Sequence, residues 1–449
     1  MKEGHRKDGA VGILCHRDFW FQQMSPPCGG NLVSAVEDKT GMDGMLPFPY
    51  KSLMATPPPA PAAFHTCLLL LAASLACGAL ELAGGAETPG LRPGSVIELQ
   101  GRAARLIKLD SLPLVESTWS KRFHFDSASN PKLKELRERY RLDEVTAAGQ
   151  GEFDRQVLLM DWTHRQFKKF GRPSSPAKGA LDILSAIDQD HRFFCAQYAE
   201  VLVSTAASLG WINRPLALRR HEGVNKVGGS TEHSVTEIWS NQFRKWIMLD
   251  PTSNLFVEKA GVPLNAFEIR QEWFQQGGRD LVFVVGKERR KYRKADLPIL
   301  LGHFEDFGDL TVEPDEPDKY GFIGFIPNTN LMDAGFDYGA MFIIKDALCD
   351  GTRWHLRDNP PQPATDPYFP LGQSALNLAA DASGIRVTLQ TMTPNFQRFE
   401  IRSGEGGWKP AADNFLWKIQ PGLNRLEART VNAFGVTGPV STAELGMDP

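Results

Sequence analysis

The sequence is poor in cysteine, with six in 449 residues, and no two of them form a Cys-x-x-Cys pair. No Cys/His cluster at zinc spacing accompanies them, so the chain offers no ready-made metal site. A charge of one sign is also missing: 50 Lys and Arg stand against 53 Asp and Glu, a net charge of −3. That balance gives no reason to expect nucleic acid as a partner. The basic run at residues 287–294 reads as solvated surface. No calcium-type acidic loop is present. Nothing in these absences calls for a cofactor, and none is expected.

What the chain does have begins with size and apolar content. At 449 residues and 42% hydrophobic, it is long enough for two or three packed domains. The first 90 residues do not read as folded structure. Residues 62–80 are uncharged and mostly apolar, centred on Leu68-Leu69-Leu70-Leu71 and followed by small residues. This is the pattern of a secretory signal, with an uncleaved membrane anchor as the alternative. Met45 and Met54 are candidate true starts, which makes residues 1–53 an extension outside the fold and 54–88 the signal or anchor plus linker. Leu75-Ala76-Cys77 resembles the end of a bacterial lipobox, with Ser74 where leucine is expected. The expectation is an exported protein of bacterial type, periplasmic or extracellular. It would touch a membrane only through such an anchor or a lipidated Cys77.

Three residues further on carry the chemistry. Cys195 lies in Phe193-Phe194-Cys195-Ala196-Gln197-Tyr198, and the residues after it keep helical spacing up to Gly210. A cysteine at a helix start is a stabilised thiolate, because the dipole and free N–H groups favour negative charge. His233 and Asp250 fall in two β-type runs, 234–239 and 246–249, joined by a polar turn. A turn centred between Asn241 and Gln242 sets His233 opposite Asp250. Opposed residues share a face roughly 5 Å apart, which suits an imidazole–carboxylate bond. The same register sets Glu237 opposite Trp246. Thiol, base and orienting carboxylate together make a nucleophilic triad. His191 and His221 are the rival bases, but neither sits in a strand facing a carboxylate.

The patterns Cys-Ala-Gln-Tyr-Ala, His-x-x-x-Glu-x-Trp and Trp-x-x-x-Asp-Pro resemble the core of the transglutaminase-like superfamily, which has a papain-like fold. The resemblance covers roughly residues 150–285. It implies Cys195 as nucleophile, His233 as base and Asp250 as orienting group, acting on a protein, peptide or amide substrate. It does not fix hydrolysis against transamidation, and inactive relatives leave a non-catalytic binding or cell-surface module as the alternative. Gln166 or Trp162, on the helix before the cysteine, is a candidate oxyanion donor. Glu237 and Trp239 are candidates for shaping the site, with a salt bridge and a core position as their plainer roles.

Helices before the cysteine and strands after it give an α+β pattern over residues 116–310. Residues 311–384 are rich in Pro, Gly, Asp and Asn and read as an irregular, partly β connection. From 385 to 449 short alternating strands recur, and Pro421-Gly422-Leu423-Asn424 and Gly438-Pro439 resemble the second half of fibronectin type III-like modules. The expected fold is therefore α+β: a papain-like, transglutaminase-like core followed by an all-β sandwich.

Overall fold

The computed structural model describes residues 90–220, 232–305, 307–336, 341–344 and 366–449. The expected signal or anchor, Cys77 and His221 lie outside the described residues. Among the described residues, no helix is long and apolar enough to cross a membrane.

The described chain opens with two strands, β1 (Val96–Leu99) and β2 (Arg102–Asp110). Five helices follow: α1 (Pro131–Arg139), α2 (Leu142–Thr146), α3 (Glu152–Gln166), α4 (Ala180–Asp188) and α5 (Cys195–Ser208). Next come β3 (Asn213–Arg219), β4 (Glu232–Ser240), β5 (Lys245–Leu249), β6 (Leu255–Lys259) and β7 (Val262–Pro263). Helix α6 (Ala266–Gln276) precedes β8 (Val282–Val285), β9 (Arg290–Arg293), β10 (Ile299–Phe304), β11 (Gly308–Val312) and β12 (Phe322–Phe325). Helix α7 (Leu331–Ala334) and β13 (Phe342–Ile343) lead to the last group. That group is β14 (Ala375–Asp381), β15 (Gly384–Gln390), β16 (Phe396–Ser403), β17 (Lys409–Ala411), β18 (Asn414–Trp417), β19 (Gly422–Asn432) and β20 (Ser441–Met447). The fold is α+β, with helices grouped before antiparallel sheets.

The central sheet has the order β13-β12-β3-β4-β5, and both of its faces are covered. Along β5, Trp246 and Met248 enter one core while Ile247 and Leu249 enter the other. That is why β5 reads as an unbroken apolar run rather than an alternation. The second core is formed with α1, α3, α4 and α5, and α5 is buried almost all round. The first core is shared with α6 and the sheet β7-β6-β8-β9. Helix α5 ends where Gly210 takes φ 82°, a conformation that disfavours a side chain.

The C-terminal part is a two-layer sandwich. One sheet has the order β1-β2-β20-β19-β16-β17 and the other β14-β15-β18. Leu106, Leu426 and Leu445 from the first pack with Leu378, Val387 and Trp417 from the second. The larger sheet thus takes in the first two strands of the described chain, and the smaller begins at Ala375. Likewise β12 extends the central sheet beyond residue 310 through its pairing with β3.

Candidate active site

Cys195 is the first residue of α5, preceded by Phe194 in extended conformation at ψ −179°. The backbone N–H of Phe194 donates to Gln197 Oε1 at 3.2 Å, so the third helical residue reaches back to tie down the entry. Upstream, Gly171 N–H donates to the Phe193 carbonyl at 3.0 Å, fixing the chain that delivers the cysteine. Cys195 is a free thiol. The first N–H groups of α5, as at any helix start, lack the acceptors that a preceding turn would supply.

His233 and Asp250 meet as expected, but by a different register. Glu152, at the start of α3, accepts from Asn241 Nδ2 at 2.7 Å and from Gln242 N–H at 3.0 Å. This grip centres the hairpin between Gln242 and Phe243, one position later than the sequence suggested, with Arg244 at φ 55°. Trp239 therefore pairs with Trp246, and Glu237 pairs with Met248 rather than with Trp246. His233 is not directly opposed to Asp250. Asp250 lies just past β5 in an antiparallel bridge with Leu255. Moving the turn centre by one position moves each partner by two, so every side chain keeps its face. The diagonal spacing lets the imidazole reach the carboxylate: His233 Nε2 lies 2.8 Å from Asp250 Oδ2.

The other carboxylate oxygen is held by the turn itself. Thr252 N–H and Ser253 N–H donate to Asp250 Oδ1 at 2.9 and 3.0 Å, a turn built by the Asp-Pro-Thr-Ser sequence. Helix α3 clamps that turn from outside. His164 Nδ1 lies 3.2 and 3.1 Å from the carbonyls of Pro251 and Thr252, and so donates from that nitrogen. Burial depresses the His164 pKa, which favours the neutral ring. One turn earlier, Asp161 Oδ1 accepts from Asn254 Nδ2 at 2.9 Å. The sequence assigned no role to Gln197, although it lies within the Cys-Ala-Gln-Tyr-Ala pattern, and did not single out His164 and Asp161, whose only signal is their place on a helix before the cysteine.

The side chains of His233 and Cys195 are themselves hydrogen-bonded. With Nε2 committed to Asp250, Nδ1 is the nitrogen left for the sulfur. Burial works to raise the Cys195 pKa, but the His233 hydrogen bond and charge outweigh it, with help from the Ser234 N–H and Lys319. The thiol is held below its ordinary value. Burial works to lower the His233 pKa, but the Asp250 charge and hydrogen bond, and then Cys195, push it well up. Asp250, which burial would raise, is held down by His233 and by the turn at Ser253. The three shifts agree: the arrangement favours thiolate, imidazolium and carboxylate together. The His233 and Asp250 side chains are only 10% and 6% exposed, so water screens the pair little.

The other sequence candidates have structural positions. Gln166 donates its amide to the Trp162 carbonyl at 3.0 Å. The Trp162 ring packs edge-on against Tyr140, 5.8 Å between centroids. Among the described contacts neither is joined to Cys195. Glu237 is fully buried and forms an ion pair with Arg214 at 2.7 Å. Its other oxygen accepts from Ala266 N–H at 2.9 Å, at the start of α6. Trp239 packs against Trp246 in the core and donates Nε1 to Asn241. His191 Nδ1 lies 3.0 Å from Ser174 Oγ.

No family model and no curated protein matches the chain. A solved structure from Cytophaga hutchinsonii, provisionally assigned as a cysteine protease, matches with 13% identity and a TM-score of 0.23. The match covers 33% of this chain and 49% of the other, so about half the length of that protein is spanned. Among the described residues, no group of three or more His, Cys, Asp or Glu is placed to hold a metal ion.

Proposed function

We propose that the protein catalyses thiol-dependent acyl transfer from an amide or peptide, in the manner of the transglutaminase-like proteins that its sequence resembles. The observation that carries this reading is the linked set at the start of α5: Cys195 hydrogen-bonded to His233, and His233 to Asp250 at 2.8 Å. In the reaction the Cys195 thiolate attacks the carbonyl carbon. The developing oxyanion is stabilised by backbone N–H groups at the helix start, that of Cys195 first. The tetrahedral adduct collapses as the C–N bond breaks, and the His233 imidazolium gives its proton to the departing nitrogen. A thioester and a free amine result. His233, now neutral, takes a proton from water or from an amine as it attacks the thioester. Water yields a carboxylic acid and an amine yields a new amide, with Cys195 regenerated in both cases. Asp250 keeps the ring oriented and its charge balanced throughout.

The reading is tested by the alkylation rate of Cys195 with iodoacetamide against pH, followed by mass spectrometry of the Cys195 peptide. The pKa directions give the sign. Thiolate should form below the ordinary thiol range, because His233 holds the Cys195 pKa down. His233→Ala removes the group that lowers it and leaves the burial that raises it, so the rise should move to higher pH. A rate that climbs only above pH 8 in both proteins would overturn the proposal.

A further inference from the structure

An aromatic ridge leads from the nucleophile to a hairpin that has no place in the chemistry above. Phe194 directly precedes Cys195. The Phe170 ring lies 6.0 Å from that of Phe194 and 6.0 Å from that of Tyr198, one turn into α5. Phe170 is held there by a parallel bridge to Phe193. On its far side it meets Phe307 edge-on at 4.7 Å and Phe304 at 6.1 Å. These two residues form the tip of the β10–β11 hairpin, where Phe304 pairs with Gly308. The root of that hairpin is anchored, because Ile299 and Val312 pair with each other and are both buried in the core. The tip is not buried: Phe307 is 49% exposed.

A single exposed phenylalanine is ordinary. A row of rings whose last member directly precedes the nucleophile in the chain offers a binding feature, because aromatic faces and edges offer a second ring the same offset and edge-on contacts they offer one another. We propose that Phe304, Phe307, Phe170 and Phe194 form one wall of the substrate cleft, and that it receives a large apolar or aromatic group adjoining the amide attacked by Cys195. The proposal rests on Cys195 as nucleophile and adds the substrate class. The hairpin root sets the position of the wall, and the tip supplies its outer half.

The test uses the full chain and two alkylating reagents, iodoacetamide and N-benzyl-2-iodoacetamide. Each rate at the Cys195 peptide is divided by the rate of the same reagent with glutathione. The benzyl reagent should show an advantage of about tenfold, the size expected for an added apolar group in a fitting pocket. Phe307→Ser, and the double change Phe304→Ser/Phe307→Ser, should bring that advantage close to one. Phe307→Trp should retain it. Leu300→Ser, an exposed apolar position on the same hairpin, should have no effect. No benzyl advantage in the wild type, or one that survives the double change, overturns the proposal. A concentration-dependent dimer lost in Phe307→Ser, with the rate ratio unmoved, would assign the rings to a second copy of the chain and also overturn it. An unactivated cysteine with an intact benzyl preference would instead refute the acyl-transfer reading alone.

Discussion

Asp250 is bound on both oxygens, and this makes it the most diagnostic residue to change. Oδ2 faces His233 Nε2, and Oδ1 faces the N–H groups of Thr252 and Ser253. Asn is nearly isosteric but cannot satisfy both sides. If its carbonyl stays with the two N–H donors, its NH2 faces His233 Nε2 and forces the ring proton onto Nδ1, the nitrogen that must receive the thiol proton. If the amide flips, its NH2 meets two donors and the turn loosens. Asp250→Asn should therefore lower turnover while Tm moves by only a few degrees. The corresponding change in a serine enzyme costs about 10⁴-fold in kcat. A thiolate forms more readily than an alkoxide, so a loss on the order of 10- to 1000-fold is expected here. Activity equal to wild type, on any substrate that Cys195→Ala abolishes, would make Asp250 a turn residue only. Turnover should also follow a bell in pH, as it needs thiolate and imidazolium at once. Its rising limb should lie below the ordinary thiol pKa and its falling limb above the ordinary histidine pKa. The two limbs belong to the pair rather than to either residue.

Helix α5 carries a second ionisable group with a consequence for stability. Glu200 is 3% exposed, and burial raises its pKa to about 7 despite the Gly179 N–H that it accepts and the nearby Lys178. The sign follows from the raised value. Ionisation is harder in the folded state than in the unfolded chain, so stability falls as pH climbs from roughly 4.3 to 7 and is flat outside that window. Glu200→Gln should remove this slope. Wild type should lose on the order of 3–4 kcal/mol relative to the variant between pH 4 and 8, read from urea midpoints. A parallel pair of curves would refute the assignment. Helix α5 itself was legible from its sequence, because Tyr198, Leu202 and Leu209 keep helical spacing and Gly210 marks the end. The meeting of His233 with Asp250 was legible because each sits in a distinctive local context. The hairpin register was not, since Glu152, far back in the chain, decides it. Nor was the fate of Gln166, whose amide turns back on its own helix. The spread of the two larger sheets was equally hidden. The β2–β20 and β3–β12 pairings join distant segments, and neither leaves a local pattern.

At the scale of the molecule, the sandwich is docked on the α+β layers through glycines. A Cβ on Gly210 would lie 2.4 Å from that of Phe434, while Asn432 Nδ2 donates to the Gly210 carbonyl at 2.8 Å. A Cβ on Gly438 would lie 1.8 Å from the Gly372 carbonyl oxygen, the same oxygen that accepts from Thr430 Oγ1 at 2.6 Å. Backbone cannot yield there as a flexible side chain would. Gly438→Ala should therefore destabilise by about 1–3 kcal/mol, as overpacking of a tight site does. Differential scanning calorimetry should show the loss, and an unchanged Tm would mean that this joint is loose. The larger sandwich sheet has another consequence, for how the chain is made. Its second strand, β2, pairs with its last, β20. β2 leaves the ribosome well before β20, and its open edge must wait until the residues between them have emerged. The layers holding Cys195, His233 and Asp250 can assemble in the meantime. A chain lacking β20 would uncover β2 and β19 together, two edges ready to pair with neighbouring chains. Such a product would be cleared or would aggregate while still carrying every residue of the candidate site.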